Sequence, residues 1–175
     1  MHIRAAEVSD AEALIELDTA TASVESRAGD IRRWIARQQC FVAAEDGAPV
    51  GYAVLTYDFF HAGFLELVMV GEPHRRRGVA LRLINDVISR CTTPKLWTST
   101  NQSNLPMQAL LDRVRFQPSG RIDGLDDGDP ELIYAIDCQY HIWFCAKVQE
   151  ALDDPRQPLP HTQVQEIFRN KQNRF

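Results

Sequence analysis

The chain has no apolar run approaching the length needed to cross a bilayer, no Cys-x-x-Cys pair and no excess of basic residues. Each absence removes a class of protein. With no spanning segment, and no charged start leading into an apolar block, the expectation is a soluble protein of a reducing cytoplasm with no membrane partner. Cys40, Cys91, Cys138 and Cys145 lack metal-like spacing with His2, His61, His74, His141 and His161, so they read as free thiols rather than zinc ligands. A formal net charge of -5 and a pI near 5.5 argue against a general nucleic-acid binder, which needs a basic face. Two common phosphate motifs are missing as well. No Lys-Ser/Thr pair follows Gly78 as a P-loop requires, and no G-x-G-x-x-G surrounds it.

What is present is a chain of 175 residues, 45% hydrophobic and 25% charged, long enough for one well-buried domain with a small appendage. Against the acidic average, His74-Arg75-Arg76-Arg77-Gly78 is a local exception. It lies between the apolar run Phe64 to Val70 and the amphipathic stretch Val79 to Ser89. A strand that stops in a basic, Gly-containing turn and restarts as a helix aims several unpaired N–H groups at one spot, where an anionic group can sit. The bland alternative for the arginines is a solvated charge run, but their place between strand and helix favours phosphate contact.

The pattern predicts the order of elements. His2 to Ala5 alternates like a strand, and Ser9-Asp10 caps a helix carrying Ala11, Leu14, Ile15 and Leu17. After a polar interval, Asp30 to Gln38 places Ile31, Trp34 and Ile35 on one side of a second helix. Cys40 to Glu45, Val50 to Tyr57 and Phe64 to Val70 read as an antiparallel meander, its first hairpin at Asp46-Gly47-Ala48-Pro49. The helix from Val79 then crosses to a strand at Leu96 to Ser99, giving a parallel partner, and a helix follows over Asn104 to Arg113. Phe116 to Ile122 and Glu131 to Ile136 close the sheet as a hairpin. From Cys138 the texture changes: a helical pattern over Tyr140 to Leu152, a Pro-rich link over Asp153 to Pro160 and a short polar helix over Thr162 to Lys171. Residues 138–175 are too few to hold a core of their own, so they need a surface on the domain, a second copy or another protein.

This order resembles the GNAT family of N-acetyltransferases over about residues 1–137, most specifically from Val70 to Leu83. Arg75, Gly78 and Ala80 occupy the positions of that family's Arg/Gln-x-x-Gly-x-Gly/Ala turn. The resemblance implies an α/β fold with a mixed sheet, of the GNAT acyltransferase type, followed by a C-terminal helical extension. It further implies acetyl-CoA as cofactor, cradled by Arg75, Arg76, Arg77, Gly78, Val79, Ala80 and Leu81, with Asn104 matching the asparagine that contacts the pantetheine arm. By the same resemblance, a backbone N–H near Met69 or Val70, where the family's strand splays from its neighbour, would polarise the thioester carbonyl. Two positions depart from the family: Leu111 stands where many members carry the tyrosine that protonates the leaving thiolate, and Arg115 where a glycine is common.

Glu66 interrupts the apolar strand and is the candidate general base; alternation would put it beside Phe64, Val68 and Val70, and burial there would raise its pKa. Its alternative is a solvent-facing or ion-paired carboxylate. Arg82 can reach a 3'-phosphate, and Tyr52, Tyr57 and Tyr134 are substitutes for the absent acid unless they serve the core. Asp58, Phe59, Phe60 and His61 either shape an acceptor pocket or turn the chain. The expected activity is acetyl-CoA-dependent transfer to a primary amine, of a small molecule or a protein, by direct attack. The alternative is a GNAT-like acyl-CoA-binding module with weak or no catalysis. Its arm, residues 138–175, resembles the toxin-wrapping half of bacterial type II antitoxins of the RelB or ParD kind and would bind a partner protein; the plainer reading of the arm is a homodimer contact.

Overall fold

The computed structural model describes residues 1–18 and 24–153. Its strands are β1 (His2–Ala5), β2 (Cys40–Glu45), β3 (Ala48–Phe59), β4 (Ala62–Val70), β5 (Lys95–Asn101), β6 (Gln117–Ile122) and β7 (Glu131–Asp137). The helices are α1 (Ala11–Leu17), α2 (Val24–Ala36), α3 (Val79–Arg90), α4 (Leu105–Val114) and α5 (Cys138–Leu152). The strands form one mixed sheet in the order β1-β2-β3-β4-β5-β7-β6. Every pairing is antiparallel except β4 with β5, because α3 carries the chain across the sheet between them and returns it in the same direction. The fold is the mixed α/β architecture that the resemblance implied.

Alternation along the central strands divides the core in two. Phe41, Ala43, Ala53, Leu55 and Leu65 pack with Leu83, Ile84, Val87 and Ile88 of α3 and Leu111 and Val114 of α4. Their neighbours Cys40, Val42, Tyr52 and Val54 pack instead with Leu14 of α1 and Ile31, Trp34 and Ile35 of α2. Consecutive residues of a strand point to opposite faces, so α3 and α4 cover one face and α1 and α2 the other. The edge strand β6 is exposed along its whole length and carries Pro118 and Gly120, which discourage further pairing.

Where boundaries differ from the sequence expectation, the reasons are local. Helix α2 begins at Val24 rather than Asp30, since its first turns carry too few apolar residues to show a periodic stripe. Strand β3 runs to Phe59 past the polar Asp58. Helix α5 starts at Cys138 directly after β7, earlier than Tyr140. The arm's Pro-rich link beyond Asp153 and its polar helix lie outside the described residues. The chain divides into two compact units, Met1–Ile142 and Trp143–Phe175. Arg115, where the family favours glycine, does adopt the left-handed conformation that closes α4, at φ 74 and ψ 28. A side chain there costs about 1–2 kcal/mol.

The first connection is tied by charge. Arg4 grips the buried Asp10 with two hydrogen bonds of 2.6 and 2.8 Å, and the Glu7 N–H donates to the same carboxylate at 2.7 Å. Hydrogen bonding from Arg4 holds the Asp10 pKa below the ordinary carboxylate value, against the opposing effect of burial. The stability it contributes is therefore present above the ordinary carboxylate pKa and lost as pH falls through the depressed one. Asp10→Asn should destabilise the protein by about 1–3 kcal/mol at pH 7. In urea denaturation the gap from the parent should narrow steadily on acidification.

Candidate active site

Strands β4 and β5 pair only at Gly63, Phe64 and Leu65, opposite Leu96, Trp97 and Thr98, and then part. Two features cause the separation. The Thr98 hydroxyl donates to the Leu65 carbonyl at 2.8 Å, closing the last shared rung. On the other side of β4, Leu55 pairs with Leu65 and Val54 with Leu67, so Glu66 is an extra, bulged residue. Beyond it β4 stays with β3 while β5 stays with β7, and backbone groups on the facing edges lack a ladder partner. The wedge between them is a cleft of about 130 Å³ lined by Leu65 to Val68, Thr98 to Thr100, Asn104 and Met107.

A second cleft, of about 480 Å³, lies at the start of α3. Gly78 caps that helix from the left-handed region, at φ 79, and Arg76 before it is left-handed too, at φ 63. No side chain caps the helix, and its first intrahelical bond is Arg82 N–H to Gly78 C=O at 3.1 Å. The N–H groups of Gly78 to Leu81 are consequently the unsatisfied donors of the first turn, an anion cradle at the positive end of the helix dipole. Val70, His74, Arg75, Arg76 and Gly78 to Leu81 line one wall. Pro106, Ala109, Leu110 and Arg113 of α4 line the other.

The predicted cofactor residues are not all gathered here. Arg75 lines the cleft while its Nε donates to Val70 C=O at 3.1 Å, bracing the turn against β4. The Arg77 side chain is engaged elsewhere, with Glu45 at 3.1 Å and His74 Nδ1 at 3.1 Å. His74, considered as a proton carrier, sits in that same surface network. Arg82 is exposed on α3 and is not among the cleft-lining residues. Asn104 lines the wedge, and its Oδ1 accepts from Met107 N–H at 3.2 Å to cap α4. Met69 packs on the α1/α2 face while Val70 reaches the cleft; Gly51 lets β3 approach them, since a Cβ there would lie 2.7 Å from Met69 O. Arg113 was missed by sequence reasoning. Its signal was the 3-4 spacing Pro106, Ala109, Leu110, Arg113, a second helix stripe adjoining the apolar one.

The bulge corrects the expected surroundings of Glu66. Strict alternation would join it to Val68 and Val70, yet those two pack with the α3/α4 core, as Leu65 does, because the extra residue resets the parity. Glu66 instead shares the α1/α2 face with Thr56 and Phe64, which are directly paired. It remains solvent-exposed rather than sealed in the core. Partial burial still raises its pKa; the Thr56 hydroxyl and Arg27 oppose the shift, and Asp58 and Asp30 reinforce it. On the same face the buried Asp18 accepts from Tyr52 O–H at 3.0 Å and pairs with Arg27 at 3.5 Å.

None of the tyrosines stands free in the wedge as a ready acid. Tyr52 donates to Asp18, and burial raises its pKa. Tyr57 accepts from Thr92 N–H at 3.0 Å, and Tyr134 packs in the α3/α4 core. Leu111 is itself fully buried there. Ser99 and Thr100 carry the wedge's uncommitted hydroxyls: both line the cleft, and neither side chain makes a hydrogen bond with other described residues.

Comparison with known proteins agrees with this geometry. A profile described as the acetyltransferase (GNAT) family matches residues 11–116, and one described as PaaA2, a stability determinant, matches residues 137–165. Among solved structures, an acetyltransferase of the GNAT family from Bacillus cereus is 32% identical with a TM-score of 0.74, covering 78% of this chain and 96% of its own. The yncA protein of Salmonella typhimurium, solved with its cofactor acetyl-CoA, is 21% identical with a TM-score of 0.62, covering 78% and 93%. A ribosomal-protein-alanine N-acetyltransferase from Brucella melitensis is 21% identical with a TM-score of 0.61, covering 78% and 99%. The last two show likeness of fold. No curated protein matches the chain in sequence.

The raised Glu66 pKa has a consequence that needs no substrate. A carboxyl whose folded pKa lies above its unfolded one favours folding most at low pH, and that advantage is lost as pH rises through the folded value. Glu66→Gln should therefore compare best with the parent in thermal stability at neutral pH. Its relative Tm should fall as the pH is taken below the carboxylate range.

Proposed function

We propose a reaction for this chain from the family to which it belongs, the GNAT acetyltransferases: transfer of an acetyl group from acetyl-CoA to a primary amine, by direct attack and without a covalent enzyme intermediate. The observation that carries the reading is the wedge between β4 and β5 opening beside the anion cradle of α3. The residues present fit the cofactor. Unpaired N–H groups at Gly78 to Leu81, with Arg76 and Arg113 around them, suit a pyrophosphate; small Ala80 keeps the backbone accessible, and Asn104 edges the wedge. When bound, acetyl-CoA supplies a thioester whose acyl carbon is open to a nucleophile.

Glu66 stands on the face opposite α3 and α4, at the rim of the wedge, where it can accept a proton from an ammonium. Its raised proton affinity, caused by partial burial, favours that task. The unpaired backbone of β4 beyond the bulge offers N–H donors to a developing oxyanion. Overall a C–N bond forms and a C–S bond breaks. The ammonium gives up two protons to solvent, the first by way of Glu66, and one proton returns to the leaving sulfur, so one is released overall. With Leu111 buried, the sulfur's proton comes from solvent, or the thiolate is held by a hydrogen bond such as Thr100 can donate.

The PaaA2 match favours a second reading for residues 137–165, in which the arm engages a partner protein while the GNAT domain binds acyl-CoA. Trp143, Val148 and Leu152 are exposed apolar residues of that segment. Light scattering on the full chain and on one ending at Ile142 tests the homodimer alternative, which predicts loss of dimer in the shorter chain.

Two substitutions test the main reading. Ala80→Glu puts an anion in the cradle and should weaken acetyl-CoA binding at least about tenfold by calorimetry, with the circular dichroism spectrum unchanged. Glu66→Gln should lower kcat/KM for amine acetylation by about 10²–10⁴-fold at neutral pH, read as thiol release, while leaving acetyl-CoA affinity intact. Absence of turnover with any amine, despite tight acetyl-CoA binding, would select the binding-module reading.

A further inference from the structure

We infer that the acceptor carries its amine on an aromatic or similarly bulky apolar body, seated on the rings of Phe59, Phe60, Phe64 and Trp97; this rests on the acetyl-transfer reading above. Phe64 and Trp97 are directly paired across β4 and β5, one rung before the strands part. The Phe59 ring lies 4.9 Å from Phe64 and 5.8 Å from Trp97, and Phe60 meets it edge-on at 5.0 Å. The four rings make one continuous cluster.

Its position ties it to the reaction. Thr56 pairs with Phe64 and its hydroxyl influences the Glu66 carboxylate, so rings and base share a face. Glu66 follows Phe64 by two residues, about 7 Å along the strand. An amine at the wedge would therefore have its attached group over the rings. The charges also match: Asp58 and Asp30 add to the Glu66 carboxylate, with Arg27 as the opposing cation acting on it. This acidic rim attracts an ammonium, and the rings can hold both an apolar body and, through their faces, a cation.

The hairpin tip is arranged to present a ring. Phe60 and His61 both sit in the left-handed region, at φ 50 and φ 59, where neither glycine nor asparagine relieves the strain. Phe60 is nevertheless 87% exposed. The left-handed pair is what a two-residue loop between the paired Phe59 and Ala62 requires, whereas a phenylalanine held in solvent at that tip is accounted for by an acceptor covering it.

Initial rates with 2-phenylethylamine and ethanolamine, on the full chain, test the inference. The expected kcat/KM ratio favours 2-phenylethylamine by about tenfold or more, the gain from burying an apolar group of this size. Phe60→Ala should cut that ratio by about tenfold, mainly through KM, and Phe60→Tyr should restore most of it. Turnover of both amines at equal efficiency overturns the apolar-body inference and leaves acetyl transfer standing. With turnover of neither, saturation-transfer NMR with 2-phenylethylamine decides the ring site, supported by binding to the parent that Phe60→Ala abolishes and overturned by no binding to either. A dimer that Phe60→Ala dissociates, with no amine preference, makes the rings a self-interface and also overturns the inference.

Discussion

Everything at this site depends on two parallel strands that pair for three residues and then part. A sheet ordinarily satisfies each backbone donor and acceptor by continuing its ladder, and an interruption in the middle is costly unless something intervenes. Here the Thr98 hydroxyl closes the final rung on Leu65 C=O, and the bulge at Glu66 leads β4 away. The open edges face each other across a cleft, where an extended ligand can complete them. Because α3 and α4 follow the two parting strands, their starts converge at the mouth. The anion cradle is thus built by the same topology that opens the wedge.

Charge is distributed to suit that opening. Arg75, Arg76 and the unpaired donors of a helix start form one positive wall of the cleft, and Arg113 of α4 adds a charge from the other. On the α1/α2 face the charged groups acting on Glu66 are two carboxylates, Asp58 and Asp30, against one cation, Arg27. An acidic protein can therefore hold a polyanionic cofactor without being a general anion binder. The net charge of -5 describes the surface average, while the site is set by two local departures of opposite sign.

Much of the fold could be read along the chain, since strand alternation, helical spacing and turn residues report local contacts that neighbours in sequence make for themselves. Asp46 and Gly47 are both left-handed in the first hairpin, and Gly78 is left-handed at the head of α3, as their residue types suggested. The start of α2 was hidden because a helix whose first turns lack an apolar stripe leaves no periodic trace. In the site, Gly78 and the small Ala80 were visible as backbone requirements. The destination of Arg77 was not, because its partner Glu45 lies 32 residues away in another strand.

Residue type and spacing by themselves determined that an apolar strand ends in a basic, glycine-containing turn and becomes a helix, which suffices for an anion cradle. Tertiary structure decided what surrounds it. It put Arg113 on the opposite wall, buried Leu111 in the core and reset the parity of β4 at Glu66. The physical reason is the bulge: a single extra residue leaves composition and periodicity nearly unchanged, but it exchanges the faces of every side chain beyond it. Only pairing with β3 reveals where that exchange occurs. Glu66 therefore belongs with Thr56 and the rings of Phe64 and Trp97, not with Val68 and Val70.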